Sequence, residues 1–487
     1  MEVAPDKIAK LDLPQTDAIV VGSGPNGLAA AIHLAQAGWS VLVVEGSQTA
    51  GGGVRSAGIT LPGFIHDVCS SVYPLGVGSP FFRPLPLEQH GLQWAFPSAA
   101  LAHPLDDGSA VVLHSSLKET AATLGDDDRN YLRLLEPFVA RWQDLLADIL
   151  APPRIPHHPF LFARFGKQAI RSATGLATAR FNTERARAFF AGMAAHAILP
   201  LENLSTSGVG LMLAILGHAV GWPFARGGAQ QFTNALISFF KSLGGQVITG
   251  SPVASLDQLP PARAVLLDVT PRQLLKIAGP QLPDSYRRKM ERYRYGMGCF
   301  KLDWALHQPI PWRAQECRQA GTIHLGGSLA EISESERSSW KGKPTGRPYV
   351  LLSQPSLFDP ARAPQGKHTA WAYCHVPNGY TGDMTAAIEG QIERFAPGFH
   401  DCIAARSVLS PVDLERQNPN IIGGDIGGGA ADLSQLFFRP TVSLHKVPIK
   451  GVYLCSSSTP PGAGVHGMCG YFAAEMALAE NKKAAAK

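Results

Sequence analysis

The residues best placed by type and spacing to do chemistry are three glycines and one acid near the start of the chain. Gly22, Gly24 and Gly27 follow the pattern G-x-G-x-x-G, and Glu45 stands 18 residues after the last of them. Glycines at this spacing permit a tight turn, a close approach of backbone to a pyrophosphate and close packing of the following helix. An acid at that distance is placed to accept hydrogen bonds from ribose hydroxyls. The pattern predicts a dinucleotide site, and a strand–helix–strand unit without a nucleotide is the alternative.

The sequence on either side of this loop predicts the strands and the helix that position it. Residues 18–21 and 41–44 are short apolar runs typical of buried parallel strands, and residues 28–37 form a predicted helix that ends at Gly38. A helix that begins at the loop directs free N–H groups and partial positive charge toward phosphates. Strand, loop, helix, strand and acid occur in this order within 28 residues, which makes the prediction much stronger than a lone glycine triplet.

A second glycine cluster indicates which dinucleotide is expected. Gly51, Gly52 and Gly53 are followed by Val54 and Arg55, and such a loop is able to fold back over the same pyrophosphate. The planar guanidinium of Arg55 suits a phosphate oxygen, and a solvated loop arginine is the alternative. The arrangement resembles the GG-x-x-R element of FAD-dependent amine oxidases and carotenoid desaturases. This resemblance implies FAD.

Further stretches narrow the resemblance. Residues 61–74, NPNIIGGD at 418–425, LFFRP at 436–440 and the closing stretch 451–468 resemble the phytoene desaturase-like flavoproteins. Within them, the chain is most similar to the branch named pyridine nucleotide-disulfide oxidoreductase domain-containing protein 2. The similarity spans nearly the whole chain and is strongest at its two ends. It implies an α/β fold, with a Rossmann-like FAD-binding domain of the amine oxidase and carotenoid desaturase type and an inserted α+β substrate domain.

The resemblance also implies how the chain is divided. The discontinuous FAD-binding domain is expected over 1–80, 226–300 and 421–487, and the substrate domain over 81–225 and 301–420. Gly227 and Gly228, which precede a predicted helix over about 229–243, are expected to bring backbone to the same cofactor. Alternating patterns at 300–306 and 370–376 predict strands of a sheet that covers the flavin.

The residues that the motif and the resemblance predict to contact the cofactor come from all three segments of the FAD-binding domain. They are Gly22, Gly24, Pro25, Asn26, Gly27, Glu45, Gly51, Gly52, Arg55, Val253, Ser457, Gly464, Val465, His466, Gly467 and Met468. Related flavoproteins often have Gly-Asp or Gly-Ala before the Ser or Thr of the final motif, whereas Ser456 and Ser457 stand here. No carboxylate is therefore expected at that point, and backbone N–H groups at 464–467, opening the last helix, are expected to take its place.

Candidate acid–base residues are few. His66 and Asp67 are adjacent and are candidate catalytic residues, and the alternative is that Asp67 caps a turn while His66 packs. His466, in the closing motif, is the third candidate because a histidine that titrates near neutrality is useful beside a flavin. Dehydrogenation of a C–C bond does not oblige a polar acid or base. No metal site is expected, because His and Cys do not occur at metal-ligand spacing.

Charge and cysteine usage exclude several classes of function. A formal net charge of +5 over 487 residues is too small to indicate nucleic-acid binding. Cys69 is the only cysteine in the first 298 residues, so the paired redox cysteines of a disulfide oxidoreductase are excluded. A second G-x-G-x-x-G between a strand and a helix is also missing from the sequence. Electrons are therefore expected to pass to oxygen, a quinone or another acceptor.

The expected location is cytoplasmic, because the first residues lack the apolar core of a signal peptide and the cysteines are odd in number. An organelle matrix stays open, as does peripheral contact with a membrane. Residues 208–224 fall short of the roughly 20 apolar residues of a membrane span; a buried helix is expected there, with a substrate channel as the alternative. Residues 151–187 hold seven Lys or Arg against one acid, interleaved with Phe. They predict either a solvated face or contact with anionic lipid.

The expected activity is that of an FAD-dependent oxidoreductase acting on an apolar small molecule. It would dehydrogenate or saturate C–C bonds of an isoprenoid-like substrate by hydride transfer to or from the flavin. The alternatives are a flavin-dependent polyene isomerase and an FAD-holding regulatory or binding protein with low turnover. An amine oxidase is open on fold grounds and would require an aromatic cage beside the flavin. The sequence does not indicate the substrate, the electron acceptor or the oligomeric state.

Overall fold

The computed structural model describes residues 10–436 and 438–485, so Phe437 of the LFFRP stretch lies outside the described residues. The strands are β1 (Ala18–Val21), β2 (Val41–Val44), β3 (Ser56–Ala57), β4 (His66–Asp67), β5 (Trp94–Ala95), β6 (Ala99–Pro104), β7 (Ala110–Leu113), β8 (Phe224–Ala225), β9 (Gln246–Ile248), β10 (Ala264–Leu267), β11 (Gly298–Leu306), β12 (Ala320–Leu325), β13 (Val350–Ser353), β14 (His368–Val376), β15 (Ile403–Leu409) and β16 (Val452–Leu454). The α-helices are α1 (Pro25–Gln36), α2 (Pro74–Gly78), α3 (Leu117–Ala122), α4 (Asp128–Val139), α5 (Trp142–Ile149), α6 (Pro159–Ala169), α7 (Ala173–Arg180), α8 (Glu184–Ala194), α9 (Thr206–Ala219), α10 (Ala229–Ser242), α11 (Pro271–Ala278), α12 (Asp284–Glu291), α13 (Leu329–Trp340), α14 (Thr385–Phe395), α15 (Phe399–Cys402), α16 (Pro411–Gln417), α17 (Leu433–Leu436) and α18 (Met468–Ala485).

A parallel sheet carries the predicted glycine loop. Its strand order is β16-β10-β1-β2-β9, and every neighbouring pair is parallel. The residues of β1 and β2 are all buried, because α1, α10 and α18 cover one face of the sheet and α11 and α12 cover the other. This is a Rossmann-like arrangement, and the predicted fold class is confirmed.

Helix α1 begins at the glycine loop. Gly24 is its N-cap and Pro25 lies in its first turn, where the missing N–H of proline has no helical partner to lose. The helix packs closely on α18, because a Cβ at Gly470 would lie only 1.8 Å from the Asn26 carbonyl oxygen. Gly470 thus lets the last helix of the chain lie directly against the first, a contact that sequence reasoning did not indicate.

A seven-stranded sheet forms the second layer of the molecule. Its order is β15-β11-β14-β13-β12-β6-β7, and its pairs are antiparallel except for β12 with β6. Strands β11 and β14 pair from Gly298↔Val376 to Leu306↔His368, which confirms the strands predicted at 300–306 and 370–376. The helices α4 to α9 pack on one face, and α14 packs on the other.

The two sheets draw on different parts of the chain. The strands of the parallel sheet fall within 1–80, 226–300 and 421–487, the segments expected to bind FAD. The strands of the seven-stranded sheet fall within 81–225 and 301–420, except that β11 begins at Gly298 and crosses the predicted boundary. The domain boundaries themselves stay a prediction.

Helix α9 occupies most of the apolar stretch 208–224. Its side chains pack into the core on one side, while Gly208, Val209, Met212 and Leu213 line a cavity. The helix is therefore both a core element and part of the cavity wall, and a substrate channel along it stays a prediction. Among the helices of the described residues, this one included, none combines the length and apolar character needed to cross a bilayer.

Candidate active site

One large cavity lies between the two sheets, with a volume of about 1340 Å³. Loops that follow the carboxyl ends of β1, β2, β10 and β16 line one half of it, and side chains of β12, β13 and β14 line the other. Ligands of open parallel sheets bind beyond the carboxyl ends of the strands. Pockets for one ligand commonly measure about 300–1,000 Å³, so this cavity has room for a cofactor and a second molecule.

The first glycine loop forms a cradle in which added side chains do not fit. A Cβ at Gly27 would lie 2.2 Å from the Gly22 carbonyl oxygen, and a Cβ at Gly24 would lie 2.5 Å from Asp268 Oδ2. Gly22 has a φ of +102°, which other residues rarely adopt. Gly22 and Gly24 line the cavity together with the next two residues of the loop, Pro25 and Asn26, whereas Gly27 does not. The loop therefore presents backbone, as a pyrophosphate site requires, and it fits FAD.

Glu45 lies just beyond β2 and lines the cavity. Its Oε2 accepts hydrogen bonds from Ser23 N at 2.9 Å and Ser23 Oγ at 2.5 Å, and its Oε1 accepts one from Ser47 N at 2.8 Å. These bonds fix the carboxylate beside the glycine loop. A carboxylate has about four acceptor sites, so capacity is left for a ribose hydroxyl, and that contact stays a prediction.

The second glycine cluster packs directly on the first. Gly51 N donates to Ser23 Oγ at 2.9 Å. A Cβ at Gly52 would lie 3.0 Å from Gly24 Cα, so glycine at both positions lets the two loops touch. Gly52 lines the cavity, and Gly51 does not. The two clusters therefore form one continuous backbone surface.

Arg55 extends along this surface and lines the cavity. Its Nε donates to Gly52 O at 2.8 Å, and its Nη atoms donate to Ser47 Oγ at 3.1 Å and Gln417 O at 3.3 Å. All three acceptors are neutral, so these bonds orient the guanidinium without neutralising its charge. The predicted role of pairing with a phosphate oxygen fits this geometry.

Asp268 is an acid of this half of the cavity that sequence reasoning missed. It follows β10, lines the cavity, and its Oδ2 accepts a hydrogen bond from Gly27 N at 3.0 Å. Burial is the main cause that raises the pKa of Asp268 to about 7; the charge of Glu45 adds to it, and hydrogen bonds from Gly27 and Gly24 oppose it. Its position, directly after the apolar run 264–267 and at the same sheet edge as Glu45, is the signal that was available.

Three of the predicted C-terminal contacts, Ser457, Gly464 and Val465, line the cavity, and so does Val253. Their contact with the cofactor stays a prediction. Two other acids, Asp268 and Asp425, line the same cavity, so carboxylates are present although none stands at Ser456 or Ser457.

His466 is fully buried and does not line the cavity, and neither do Gly467 and Met468. Its Nδ1 accepts a hydrogen bond from Met468 N at 3.0 Å, at the start of α18. Burial lowers the pKa of His466 to about 4, so this ring is neutral at physiological pH. Burial thus counts against titration near neutrality, which was the reason for naming His466 as a candidate, and the catalytic role of His466 and the cofactor contacts of residues 466–468 stay predictions.

His66 and Asp67, the other catalytic candidates, are buried outside the cavity lining. His66 Nε2 lies 2.7 Å from Thr60 Oγ1. Asp67 Oδ1 accepts from Ala229 N at 2.7 Å, which caps α10, and it pairs with Arg362 Nη1 at 2.9 Å. The geometry gives both residues structural contacts, and a catalytic role for them stays an untested prediction.

Gly227 and Gly228 do not line the cavity, contrary to the expectation for them. Gly228 has a φ of +119°, and a Cβ there would lie 2.4 Å from Ser56 Oγ. Gly227 N donates to Asp359 Oδ2 at 2.6 Å. Gly228 instead lets the start of α10 pack against Ser56 of β3, and Gly227 is held by Asp359.

Asp425 and Arg439 are two further cavity residues that sequence reasoning quoted within motifs without giving them a role. Asp425 accepts from Gly296 N at 2.8 Å and Gly427 N at 2.7 Å, and Arg439 Nη2 donates to Gly427 O at 3.2 Å. Burial raises the pKa of Asp425, against the hydrogen bonds from Gly296 and Gly427 and the charge of Arg439. Both side chains are buried and hold the glycine loop 427–429 at the cavity wall.

The wall opposite the glycine loops is made of side chains. Trp222, Leu351, Trp371 and Tyr373 line it. The rings of Trp371 and Tyr373 are stacked, with centroids 6.0 Å apart and an interplanar angle of 6°. Among the described residues, His196 is the only histidine that lines the cavity. The alternation at 370–376 predicts a strand, but it does not tell which face of that strand meets a ligand.

The comparisons with known proteins agree with this geometry. The family model described as FAD dependent oxidoreductase (DAO) matches residues 17–274. A mouse protein named pyridine nucleotide-disulfide oxidoreductase domain-containing protein 2 is 26% identical, over 96% of this chain and 94% of its own. The phytoene dehydrogenase of Streptomyces griseus is 25% identical, over 93% of this chain and 92% of its own.

Solved structures show the same fold. An oxidoreductase from Methanosarcina mazei superposes with a TM-score of 0.65 at 15% identity, covering 95% of this chain and 99% of its own. A redesigned putrescine oxidase gives a TM-score of 0.61 at 17% identity, covering 96% and 99%. All seven cysteines are free in this structure. Because the family model spans more than half of the chain and contains the glycine loop, Glu45, Arg55 and Asp268, this protein belongs to the DAO family of FAD-dependent oxidoreductases and its cofactor is FAD.

Proposed function

We propose that this oxidoreductase dehydrogenates or saturates C–C bonds of an apolar, isoprenoid-like small molecule. The shape and lining of the cavity are the main support for this proposal. The cavity has a volume of about 1340 Å³ and extends from the backbone cradle to a wall of apolar and aromatic side chains. Such a wall binds hydrocarbon surface by removing it from water. The names of the relatives from Streptomyces griseus and Paracoccus, a phytoene dehydrogenase and a lycopene-forming phytoene desaturase, support a substrate of this class.

The chain's own residues then hold the substrate and exclude water. Bound FAD supplies the acceptor or donor of hydride. Met212 and Leu213 of α9 face the cavity from one side, and Leu351 faces it from the seven-stranded sheet. The stacked rings of Trp371 and Tyr373 offer a flat surface to a conjugated chain. Dehydrogenation of a C–C bond removes a hydride, which the flavin would accept, and a proton from the neighbouring carbon, which a group of the cavity wall or a water molecule retained beside it would accept.

An amine oxidase is the second candidate, and the stacked pair of Trp371 and Tyr373 favours it because aromatic faces attract ammonium groups. Lys301 opposes it. The Nζ of Lys301 lies 5.6 Å from the centroid of the Trp371 ring and pairs with Asp303. Lys301 therefore already occupies the position at the Trp371 ring that an ammonium group would take.

Anaerobic mixing of the purified FAD-loaded protein with named probes tests the proposal. Phytoene is expected to bleach the flavin absorption band, whereas putrescine and cyclohexylamine are expected to leave it unchanged. Bleaching by the amines alone would replace the proposal by the amine oxidase. An isomerised polyene formed only after prior reduction of the flavin would indicate the isomerase. If no probe changes the spectrum and the protein unfolds on removal of FAD, the FAD-holding protein is the better account.

Two matched variants link the result to the cavity wall. Leu351→Arg places a charge in the apolar wall and is expected to abolish bleaching by phytoene. Val408→Arg places the same charge at an exposed position of the same sheet and is expected to leave bleaching unchanged. FAD content and melting temperature show whether each variant is folded. Equal bleaching by folded Leu351→Arg and wild type would count against substrate binding at this wall.

We further propose that the outer face of α6 rests on an anionic membrane surface. The exposed positions of this helix and of the residue after it recur about once per helical turn, and they are Pro159, Phe160, Ala163, Arg164, Lys167 and Ile170. They form one stripe of the helix, with apolar residues at its ends and cations between them. Phe160 is 91% exposed, and Ile155, in the preceding loop, is 88% exposed.

The position and charge of this stripe favour lipid as the occupant. Phe162, Gly166 and Ile170 of the same segment line the cavity, so an apolar molecule that leaves a lipid leaflet would reach the cavity beside α6. Residues 151–171 carry four cations and no acid, which complements anionic headgroups and disfavours self-association.

Cosedimentation with vesicles tests this surface. The protein is expected to bind vesicles of phosphatidylcholine with 30% phosphatidylglycerol and not vesicles of phosphatidylcholine alone. Phe160→Ser and the double variant Arg164→Gln, Lys167→Gln are each expected to weaken binding about tenfold, whereas Val442→Ser, at an exposed apolar residue elsewhere, is expected to leave it unchanged. Equal binding by Phe160→Ser, or a dimer in solution that Phe160→Ser dissociates, would overturn the membrane as occupant.

A further inference from the structure

Two hydrogen-bonded histidines lie at the cavity wall, and one of them lines the cavity. The Nε2 atoms of His196 and His324 lie 2.9 Å apart. His196 lines the cavity, whereas His324 is fully buried behind it. Two neutral imidazole nitrogens at this distance share one proton, so one ring donates and the other accepts. The direction of this hydrogen bond decides which atom His196 presents to a ligand.

The surroundings of His324 fix that direction. Its Nδ1 is buried without a partner among the described residues and faces Gly192, where a Cβ would come within 2.8 Å. The Gly192 CH₂ offers no acceptor, so a proton on Nδ1 would be buried unpaired, whereas the same proton on Nε2 is donated to His196. His324 is therefore assigned a proton on Nε2, which it donates to His196. His103, beside the same glycine, is arranged alike: its Nε2 donates to Gly327 O at 2.9 Å and its Nδ1 is unpartnered.

His196 consequently carries its own proton on Nδ1. This atom has no partner among the described residues and, unlike Nδ1 of His103 and of His324, it is not one of the fully buried unpartnered atoms, while its residue lines the cavity. Burial, with a smaller contribution from His375, lowers the pKa of His196 to about 3, and burial lowers the pKa of His324 well below its usual value. Both rings stay neutral at physiological pH, so the cavity wall holds a fixed, uncharged N–H donor.

The backbone beside this donor is strained. Ile198 lines the cavity with a φ of 54° and a ψ of 43°, the left-handed region that a β-branched residue rarely adopts. Such strain persists where the surrounding structure imposes it, and it concentrates at functional sites. The turn at Ile198 ends the segment that presents His196.

We propose that His196 Nδ1–H donates a hydrogen bond to an oxygen atom of the substrate. The neighbouring wall residues Trp222, Leu351 and Trp371 are apolar or aromatic, and a donor left unpaired against a hydrocarbon would lose its water without compensation. The substrate class that fits is an apolar molecule with one hydroxyl or carbonyl oxygen, and a pure hydrocarbon fits less well. This inference rests on the proposed function, because the ligand is its substrate.

Binding of a matched pair of probes to the FAD-loaded protein tests the inference. Geranylgeraniol and the hydrocarbon in which hydrogen replaces its hydroxyl differ by one oxygen. Wild type is expected to bind the alcohol at least tenfold more tightly, measured by quenching of tryptophan fluorescence. His196→Phe is expected to lose this preference and keep its affinity for the hydrocarbon, and His196→Gln, which retains an N–H donor, is expected to keep part of the preference. His307→Phe, at an exposed histidine, is the control.

The binding results distinguish a failure of the hydrogen bond from a failure of the proposed function. Equal binding of both probes by wild type, or a preference that survives in His196→Phe, would overturn the hydrogen bond alone. If neither probe binds, both the proposal of an apolar, isoprenoid-like substrate and the proposed hydrogen bond from His196 are wrong.

The tautomer gives a readout that needs no substrate. Nitrogen chemical shifts of selectively ¹⁵N-labelled histidine, assigned by the loss of signal in His196→Phe, are expected to show a protonated Nδ1 on His196 from pH 6 to 8. Gly192→Ala, which displaces His324, is expected to alter these shifts. An unprotonated Nδ1 on His196 in wild type would overturn the assignment of the donor.

Discussion

The two halves of the cavity are built in different ways. On the side of the parallel sheet, the surface at the two glycine loops is backbone: the loops at Gly22–Gly27 and Gly51–Gly53 pack so closely that a Cβ at Gly52 would lie 3.0 Å from Gly24 Cα. On the side of the seven-stranded sheet, the surface consists of side chains from β12, β13 and β14, such as Thr322, Leu351 and Trp371.

This difference has a physical consequence. A surface of backbone can be distorted by any added carbon, so its sequence is confined to glycine at the points of contact. A surface of side chains can change its volume and polarity while the strands beneath it keep their pairing. We expect substitutions in the first half to remove the cofactor, and substitutions in the second half to change the ligand.

Gly27→Ala tests whether close backbone contact holds the cofactor. The new Cβ would lie 2.2 Å from the Gly22 carbonyl oxygen, a backbone atom that moves only if the loop moves. Overpacking of this kind destabilises by about 1–3 kcal/mol or more, and we expect the purified variant to lose over about 90% of its FAD, since misplaced positioning groups forfeit most binding. The measurements are the ratio of flavin to protein absorbance and the melting temperature.

Gly390→Ala is the matched control, because Gly390 lies in α14 with no heavy atom within 4 Å of an added Cβ. It is expected to be neutral or slightly stabilising. A fully yellow Gly27→Ala protein would show that the glycine loop does not hold FAD by close backbone contact.

The buried ion pairs of Arg362 give a second prediction, for the region where the two halves of the molecule meet. Arg362 is fully buried and pairs with Asp67 at 2.9 Å and with Asp359 at 2.8 Å. Arg362→Met leaves the Asp67 carboxylate buried without its cation, and we expect the free energy of unfolding to fall by about 3–5 kcal/mol. Denaturant unfolding measures the loss. Arg287→Met, which removes an exposed ion pair with Asp284, is expected to change stability by under about 1 kcal/mol.

The same variant examines the catalytic role expected of Asp67. If Asp67 is structural, flavin reduction per bound FAD stays near the wild-type rate in Arg362→Met, because the reacting groups lie in the cavity and Asp67 does not line it. A loss of flavin reduction without a loss of stability would instead support Asp67 as an acid–base residue.

The parts of the site that sequence reasoning reached are those that depend on local backbone. Gly22, Gly24 and Glu45 lie within one strand–helix–strand unit, so their spacing alone predicts their common edge of the sheet, and the fold class followed from the same unit. Asp268 was missed because its partner Gly27 is 241 residues away in the sequence. Leu351 and Trp371 were missed because alternation predicts a strand without telling which face meets the cavity. His466 was assigned a titration near neutrality that its burial prevents.

The pH dependence of FAD affinity tests whether the charge of Asp268, and not only the shape of the glycine loops, affects binding on the parallel-sheet side of the cavity. Because burial raises the pKa of Asp268 from 3.8 to about 7, this acid is mostly protonated at pH 6 and mostly ionised at pH 8. An ionised Asp268 would stand beside the N-terminus of α1, where phosphates are expected, and would repel them. We expect the affinity for FAD to fall about tenfold between pH 6 and pH 8 in wild type, which corresponds to about 1.4 kcal/mol.

Asp268→Asn keeps an acceptor for Gly27 N and removes the titration, so its affinity for FAD is expected to be independent of pH over this range. The free energy of unfolding of the FAD-free protein is also expected to fall as the pH rises. A raised pKa contributes stability that is fully present below about pH 4 and is lost as the pH rises through about 7, and this decline should be smaller in Asp268→Asn. Asp284→Asn, at an exposed acid, is the control. A wild-type affinity that does not vary with pH would show that Asp268 is either uncharged throughout or too far from the phosphates to act on them, and the cofactor half would then be defined by shape alone.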